Sequence, residues 1–343
     1  MIKLQALLVI LIAPFLLAFP VHSWEANQES RLDPPKQDSI SSVVLRFGGD
    51  CLLAGHYEED AGDSVHRAFN NFDLLKTADI AMVNLECPIT TRGKRVDKPY
   101  NFRMHPRFLS ALCSAGIDVV SIANNHIYDF GRVGLFDTIS YLDSVSILHV
   151  GAGRNAKEAH APVIVKAKEK RIALLAYYGG GEAPKATSKR AGVADRRIEI
   201  IRSDIVKIKH QKSAEYIVVS LHWGTEKATI PDRNQVKFAH EVIDAGADLI
   251  IGHHPHVLQG IEKYKSGVIV YSLGNFVFGG NSRDTYDAAL FEVSLDDKGA
   301  AYRLIPVRIE NWRAQELSGA EGDIVIKYVR RLSHSFSKNI FPK

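Results

Sequence analysis

Short apolar runs alternate with helix-like stretches along most of the chain, and this alternation constrains the fold more than any other feature. The runs have the length and the β-branched content of buried strands, while apolar residues between several of them recur at the three- and four-residue steps of helices. The strand-like runs are VVLRFGG, IAMVNLE, DVVSIANN, RIALLAYY, YIVVSLHW and DLIIGHH. The helix-like stretches are HPRFLSALCSAG, GRVGLFDTISYLDSV, RRIEIIRSDIVKIKHQK and RNQVKFAHEVIDAGA, of which two close with Gly at the helix end. Alternation of this kind predicts right-handed βαβ units and parallel strands.

The pattern changes toward the C-terminus, where antiparallel strands are expected. GVIVYSLGNFVFGG is followed by AALFEVSLDDKGAAYRLIPVRIE, in which DDKG lies between two alternating segments and predicts a hairpin. The segment EGDIVIKYVRRLSHSFSK predicts an amphipathic helix that docks through Ile324, Tyr328 and Leu332. Its basic residues fall off that face, which favours a solvated surface over membrane binding.

The N-terminus has the pattern of an export signal. Lys3 precedes the apolar run LQALLVILIAPFLLAFP, and VHS supplies the residues that a signal peptidase tolerates. We therefore predict a signal peptide over residues 1–23, a linker over 24–43 and a periplasmic or extracellular protein, with an uncleaved membrane anchor as the alternative. The first 50 residues contain no cysteine, which excludes an N-terminal lipoprotein cysteine.

Composition narrows the class of protein. The 343 residues are 46% hydrophobic and 24% charged, which is ordinary for a globular chain. The net charge of +4 is spread along the sequence, which argues against a nucleic-acid partner but allows basic pockets for small anions. Three cysteines are too few for a disulfide-built fold. Cys51 and Cys87 could pair if their strands are neighbours, and three buried thiols are an equal alternative.

Polar residues follow several of the apolar runs, at the end of a sheet where ligands of open α/β folds gather. They are Asp50, Asn84, Glu86, Asn124, Asn125, His126, His222, His254 and His256. Any one of them alone has a structural explanation, such as a turn cap, but their joint placement favours a shared site. Carboxylates, an amide oxygen and imidazoles together suit two divalent ions such as Zn, Mn or Fe. Alternation in an extended segment predicts that His254 and His256 share a face and that His253 points away.

The segments GGD, NLE, ANNHIYDFG, HWGTE, GHHPHV and YSLGNFVFG together resemble the bacterial capsule synthesis protein CapA family, the poly-γ-glutamate synthesis proteins. That family is similar to calcineurin-like metallophosphoesterases. The resemblance spans residues 44–310 and leaves 311–343 as a C-terminal extension. It implies an α/β fold, a four-layer α-β-β-α sandwich in which two mixed sheets face each other, and a role in the cell envelope.

The resemblance also implies ligand roles for Asp50, Glu86, Asn125, His222, His254 and His256. Asp50 and His256 would bind the first ion, Glu86 would bridge, and the others would bind the second. Metallophosphoesterases usually have a histidine two residues after the first aspartate, and this chain has Leu52 there. His56 or Glu226 would be the substitutes, although neither matches a ligand position of that family, and Glu226 is also a candidate for contact with substrate.

Residues beside the expected ligands are candidates for catalysis and for substrate binding. By resemblance His126 would be the general acid, and Asp129 would either orient its imidazole or cap the next helix. Lys98 and Arg103 would hold carboxylates or phosphates of a substrate, or else belong to a solvated loop. Tyr271, Asn275 and Phe276 are expected to shape the pocket wall, and of these Asn275 would reach substrate.

The sequence thus leads to one main hypothesis and two alternatives. The main one is an exported metal-dependent hydrolase or transferase that acts on an anionic envelope polymer such as poly-γ-glutamate, or on its precursor, in association with a membrane synthase complex. The first alternative is a non-catalytic component that binds the polymer or the synthase. The second is a secreted nucleotidase, which would need an aromatic nucleoside clamp that the sequence does not offer.

Overall fold

The structure is a computed structural model that describes residues 42–341, so the predicted signal peptide and nearly all of the predicted linker lie outside the described residues. Among these residues no helix combines the length and the apolar character that a membrane span requires. The α-helices are α1 His56–Ala61, α2 Leu109–Ala115, α3 Gly131–Ser144, α4 Ala156–Ala159, α5 Ile198–His210, α6 Arg233–Ala245 and α7 Gly319–Ser333.

The strands are β1 Val43–Leu52, β2 Ile80–Leu85, β3 Val119–Ser121, β4 Leu148–Val150, β5 Ala152–Gly153, β6 Val163–Ala167, β7 Lys170–Tyr178, β8 Gly192–Val193, β9 Tyr216–His222, β10 Leu249–His253, β11 Ile261–Tyr264, β12 Gly267–Val270, β13 Asn275–Phe278, β14 Tyr286–Asp296, β15 Gly299–Glu310 and β16 Arg313–Glu316. All of the predicted apolar runs form strands, and the predicted helical stretches contain α2, α3, α5 and α6.

Two mixed sheets make up the centre of the fold. The first has the order β16-β15-β14-β1-β2-β3-β4, with β13 also paired to β1, and the second has the order β11-β12-β10-β9-β7-β6. In the first sheet β1, β2, β3 and β4 are parallel, and in the second β7, β9, β10 and β12 are parallel. The carboxyl ends of each parallel set therefore meet at one edge of their sheet, as the βαβ pattern predicted.

Alternating side chains of the second sheet divide the core into layers. Leu174, Val218 and Ile251 face the first sheet, whereas their neighbours Leu175 and Val219 pack on the side of α5 and α6. Helices α2 and α3 pack with the first sheet. The predicted four-layer sandwich is therefore confirmed, and it arises because strands covered on both faces carry continuous apolar runs.

Helix ends follow local sequence chemistry. Asp232 accepts from the backbone N–H groups of Asn234 and Gln235, and the Gln235 side chain accepts from the Asp232 N–H, which completes a capping box at the start of α6. Gly116 and Gly246 end α2 and α6 in the left-handed conformation. The two glycines predicted as helix ends are confirmed.

The predicted hairpin is also confirmed, because β14 and β15 pair antiparallel up to Asp296 and Gly299. The Asp296 carboxylate accepts from the backbone N–H groups of Lys298 and Gly299, which closes the turn. The cysteines are free: Cys51 and Cys87 are buried thiols and Cys113 is exposed. The alternative in which Cys51 and Cys87 pair is not realised.

The C-terminal helix α7 buries a face that matches the predicted one only in part, because Tyr328 is half-buried against the core but Ile324 is not. Its buried residues are Gly322, Val325, Val329 and Ser333, whereas Ile324 is 63% exposed. The prediction misplaced the face by about one residue because Gly322 and Ser333, which are not apolar, lie on the buried side. Ser333 accepts a hydrogen bond from the Ile261 N–H at 2.8 Å, and Arg308 of β15 donates to Glu321 at 2.8 Å, so α7 is tied to both sheets.

Candidate metal centre

The carboxyl ends of the two parallel sets meet, and they bring residues from distant segments together. Asn125, which follows β3, lies with its Oδ1 2.9 Å from Nε2 of His222 at the end of β9. Asp50 in β1 lies with its Oδ1 3.2 Å from Nδ1 of His253 at the end of β10. Both contacts join the first sheet to the second, so the cluster sits where the sheets face each other.

Close approach of two backbones sets the position of Asp50. A Cβ on Gly49 would lie 2.0 Å from the carbonyl oxygen of Gly274, so only glycine allows this approach. The Asp50 N–H then donates to that carbonyl at 2.9 Å. The glycines of the GGD segment therefore place the carboxylate rather than merely forming a turn.

Asp50 is fully buried, and several side-chain and backbone groups of the cluster contact its carboxylate. It accepts from Asn84 Nδ2 at 2.9 Å and from the His254 backbone N–H at 3.2 Å, and Nδ1 of His256 lies 3.2 Å away. Burial raises the pKa of this carboxyl, but hydrogen bonds and charge from His253 and His256 outweigh burial and hold the pKa well below its usual range. Asp50 is thus an anion at neutral pH.

Glu86 is fully buried, and its Oε1 has no hydrogen-bond partner among the described residues. Nε2 of His222 and Nε2 of His256 each lie 3.6 Å from that oxygen. Two ligands bound tetrahedrally at about 2.1 Å stand roughly 3.4 Å apart, so this spacing leaves room for an ion between them. Burial, reinforced by the charge of Asp50, raises the pKa of Glu86 well above its usual value. A bound cation would give the unpartnered oxygen a ligand bond and would stabilise the charged form of the buried carboxylate. The residues therefore fit a divalent metal.

Two overlapping groups of potential ligands have donor atoms within 4.8 Å of one another. One contains Glu86, His254 and His256, and the other contains Asp50, Glu86 and His222. Glu86 belongs to both groups, which is the position that the resemblance implies for a bridging carboxylate. The histidines are distributed between the two groups differently from the expected ligand sets. His254 lies with His256 and His222 lies with Asp50, whereas the resemblance implied His256 with Asp50 and His222 with His254.

His222 and His254 are available in the neutral form that metal binding requires. Burial, followed by the charge of His254, lowers the pKa of His222 well below its ordinary value. Burial, followed by the charge of His256, also lowers the pKa of His254, whose Nδ1 has no hydrogen-bond partner in the part of the chain that the structure describes. The two rings lie 4.7 Å apart between centroids.

The prediction that His253 points away from the cluster is wrong. Strand β10 ends at His253, and beyond it His254 and His256 have φ of 95° and 58°. These left-handed values are uncommon for residues other than glycine and stop the alternation of side chains. All three imidazoles therefore approach the Asp50 carboxylate or the candidate ligands.

Beside the cluster, His126 is held by two charged residues. Its Nδ1 lies 2.8 Å from Asp129 Oδ2 and 3.2 Å from Lys98 Nζ, and Lys98 contacts Asp129 Oδ1 at 2.5 Å. Burial lowers the pKa of His126, although Asp129 opposes that shift. The N-cap of α3 is Phe130, so Asp129 contacts His126 rather than capping the helix. Lys98 also donates to the Asn125 carbonyl at 2.8 Å and thus lies within the site, not in a solvated loop.

Other predicted residues lie outside the cluster. Arg103 is exposed and packs its guanidinium 4.8 Å from the centre of the Phe130 ring. His56 is exposed and contacts Glu59, so it does not replace the missing ligand. Glu226 is exposed, and its charge acts on Glu86 and His254 from a distance. Leu52 is fully buried, so its position offers no donor atom to a first ion.

The expected pocket wall is only partly formed as predicted. Asn275 contacts the cluster through His256, whose Nδ1 lies 2.8 Å from the Asn275 Oδ1. Tyr271 points instead toward the α5–α6 side, where it donates to Glu262 at 2.8 Å, and Phe276 stacks on Phe69 in the core. A cavity of about 610 Å³ opens beside His256 and Asn275.

Comparison with known proteins agrees with this architecture. The model of the family described as bacterial capsule synthesis protein PGA_cap matches residues 44–280. The chain is 32% identical to the capsule biosynthesis protein CapA of Bacillus anthracis, over 92% of this chain and 78% of that protein. It is also 32% identical to the PGA biosynthesis protein CapA of Bacillus subtilis, over 81% of this chain and 75% of that protein.

Among solved structures, a hypothetical protein from Thermus thermophilus is similar at 15% identity. The superposition has a TM-score of 0.50 and covers 80% of this chain and 100% of that chain. At this identity the likeness concerns the fold alone.

Proposed function

Because the chain belongs to the bacterial capsule synthesis protein PGA_cap family, we propose that it is an exported metal-dependent hydrolase or transferase acting on an anionic envelope polymer. Because two relatives are named for capsule and PGA biosynthesis, the proposed substrate is poly-γ-glutamate or its precursor. One observation supports the catalytic part above others: the buried Glu86 oxygen lacks a partner among residues 42–341 and lies between two histidines.

The residues of the cluster have distinct roles in this proposal. Asp50, Glu86, Asn125, His222, His254 and His256 hold divalent ions, with Zn, Mn and Fe favoured by the imidazoles. When bound, such ions supply Lewis-acid activation of the nucleophile and of the attacked group. His126 stands beside them with Nδ1 directed at Asp129, and in its protonated form it would donate the Nε2 proton to the leaving atom and remain as the neutral imidazole. Lys98 keeps Asp129 in place.

Loss of one ligand position supports the alternative of a non-catalytic polymer-binding or synthase-complex component. Leu52 is fully buried where metallophosphoesterases usually have a histidine, so the first ion would have fewer ligands. His253 lies 3.2 Å from Asp50 and is the nearest additional imidazole. Binding at one ion position rather than two is the expected signature of this alternative.

Elemental analysis of the purified protein tests the proposed metal centre. We expect Asp50→Ala and His254→Ala to lose bound Zn, Mn or Fe while their circular dichroism spectra stay native, because each change removes a donor without altering the core. Asp73→Ala and His210→Ala are matched controls on the exposed surface and should bind metal like the unmodified protein.

Turnover of bis(4-nitrophenyl) phosphate and of a γ-linked glutamate oligomer is measured on the same samples. Metal that is retained in both site variants contradicts the ligand assignment. A metal-loaded protein that turns over neither compound favours the non-catalytic alternative.

A further inference from the structure

The cavity beside the metal centre has a wall that the family match does not include. His256 and Asn275 form the part of the lining next to Asp50, and Ile324, Val325 and Tyr328 of α7 form another part. The family model ends at residue 280, so α7 lies outside the matched segment. The volume of about 610 Å³ falls in the range of ligand pockets.

The charged groups of the cavity favour an anionic occupant. Lys227 and Arg283 line it, and neither side chain forms an ion pair with a carboxylate of residues 42–341. Arg283 donates from Nε to the Thr285 carbonyl at 3.0 Å, which leaves the rest of its guanidinium free among these residues. The acidic residue of the lining, Asp287, is already paired with Arg308 at 2.9 Å. The uncompensated charge of the cavity is therefore positive.

The apolar groups of the cavity indicate an occupant with an aliphatic part. Ile324 is 63% exposed although it lies on a helix that is docked to both sheets. Val257 and Leu258, which directly follow His256, face the same cavity. A bound chain that covers Ile324 would remove this apolar surface from water, which favours binding.

We propose that this cavity is a substrate subsite that holds an acidic chain leading away from the metal centre. Carboxylates of the chain contact Lys227 and Arg283, while the methylene groups between them pack on Ile324 and Tyr328. The identity of the polymer rests on the proposed function, whereas the combination of unpaired cations and exposed apolar residues is independent of it. Because α7 supplies Ile324 and Tyr328, the C-terminal extension contributes to the choice of chains that fit.

Binding of a γ-linked glutamate oligomer to the metal-free full-length protein, measured by calorimetry, tests the subsite. We expect Lys227→Gln with Arg283→Gln to raise the Kd at least about 10-fold, because two charge-assisted contacts are lost. Lys212→Gln with Arg202→Gln is the matched control: it removes the same charge from exposed residues near α5, and Lys212, like Lys227, has positive φ. The same Kd in both double variants, or no binding by the unmodified protein, overturns the proposal.

The apolar wall is tested in the same way by Ile324→Ala. Its Kd should rise about 3- to 10-fold, since part of an isoleucine contact is lost. Ile164→Ala, at an isoleucine of β6 that is 39% exposed, should leave the Kd unchanged. An Ile324→Ala protein that binds as tightly as the Ile164→Ala control contradicts the role of α7.

Binding and turnover measurements distinguish an incorrect subsite proposal from an incorrect proposed function. Oligomer binding that depends on Lys227 and Arg283, without turnover of any substrate by the metal-loaded protein, contradicts the hydrolase and supports the subsite. Turnover of the oligomer with a KM unchanged in Lys227→Gln with Arg283→Gln contradicts the subsite alone.

Discussion

His126 shows how a single residue combines a proposed catalytic role with constraints from its neighbours. Its imidazole contacts Asp129 and Lys98 on one nitrogen and packs 4.7 Å from the Phe102 ring. The Asn124 side chain accepts from the His126 backbone N–H at 3.1 Å and so fixes the loop that carries the imidazole. The position of this ring therefore does not depend on a bound ion.

We expect His126→Asn to retain bound metal and to lower kcat by about 10² or more, because only proton transfer to the leaving atom is lost. Metal content and single-turnover rates of the same preparation measure the two properties. His56→Asn, at an exposed imidazole, is the control and should change neither. A His126→Asn protein with unchanged kcat removes His126 from the reaction.

Most of the clustered residues could be predicted from the sequence, because each follows an apolar run and the carboxyl ends of parallel strands meet. His253 could not, since its prediction assumed an extended chain through His254, where φ is 95°. The sequence left Arg103 between a substrate contact and a solvated loop, because a loop sequence does not reveal that its guanidinium packs on Phe130. Nothing in the sequence distinguishes it from Lys98, which does reach the site.

At the scale of secondary-structure elements, β14 and β15 depend on a buried ion pair with β1. Glu292 accepts from Arg46 Nε at 2.7 Å and from Arg303 Nε at 2.9 Å. The Arg46 and Glu292 side chains are only 10% and 9% exposed, whereas Arg303 is 59% exposed. If Glu292 is lost, little water can reach Arg46, which keeps the Leu74 carbonyl and the Thr77 hydroxyl as neutral partners.

Glu292→Gln should lower the free energy of unfolding by about 1.5–3 kcal/mol at neutral pH, since a mostly buried cation loses the charge of its carboxylate partner. Burial raises the pKa of Glu292, but Arg303 and Arg46 outweigh burial and lower it. Because the folded-state pKa is depressed, this stabilisation is present above about pH 4.3 and is lost as the pH falls through the folded-state value.

Urea unfolding of both proteins between pH 7 and pH 3 measures this effect, and the difference between them should shrink toward the acid end. Glu169→Gln, in an ion pair whose carboxylate is 92% exposed, should differ little from the unmodified protein at any pH. A difference for Glu292→Gln that stays constant with pH contradicts the assignment.

At the scale of the whole molecule, the family and the four-layer arrangement predicted from the sequence are both confirmed. Both predictions rest on patterns that extend over many residues. The β-branched runs predict the strands of the layers, and the ordered series of motifs indicates the family. The buried face of α7 was not predictable in the same way, because Gly322 and Ser333 pack there for reasons of space and hydrogen bonding rather than apolar character.

Ser333→Ala should lower the free energy of unfolding by about 1–3 kcal/mol, because the buried Ile261 N–H loses its acceptor. Thermal and denaturant unfolding measure the change. Ser335→Ala, two residues away at an exposed serine that bonds only the Leu332 carbonyl among the described residues, is the control and should be nearly neutral. Equal stability of the two variants would show that α7 does not depend on this bond.

The α7 wall of the proposed subsite stands on a different element from the candidate metal ligands. Residues around Asp50 and Glu86 are enclosed by the sandwich and lie among the candidate ligands, so a change there alters the candidate metal centre. Ile324 and Tyr328 stand on a helix outside the matched scaffold and line the neighbouring cavity. If the cavity is the proposed subsite, exchanging this one helix would change which polymer binds without replacing any of the candidate metal ligands.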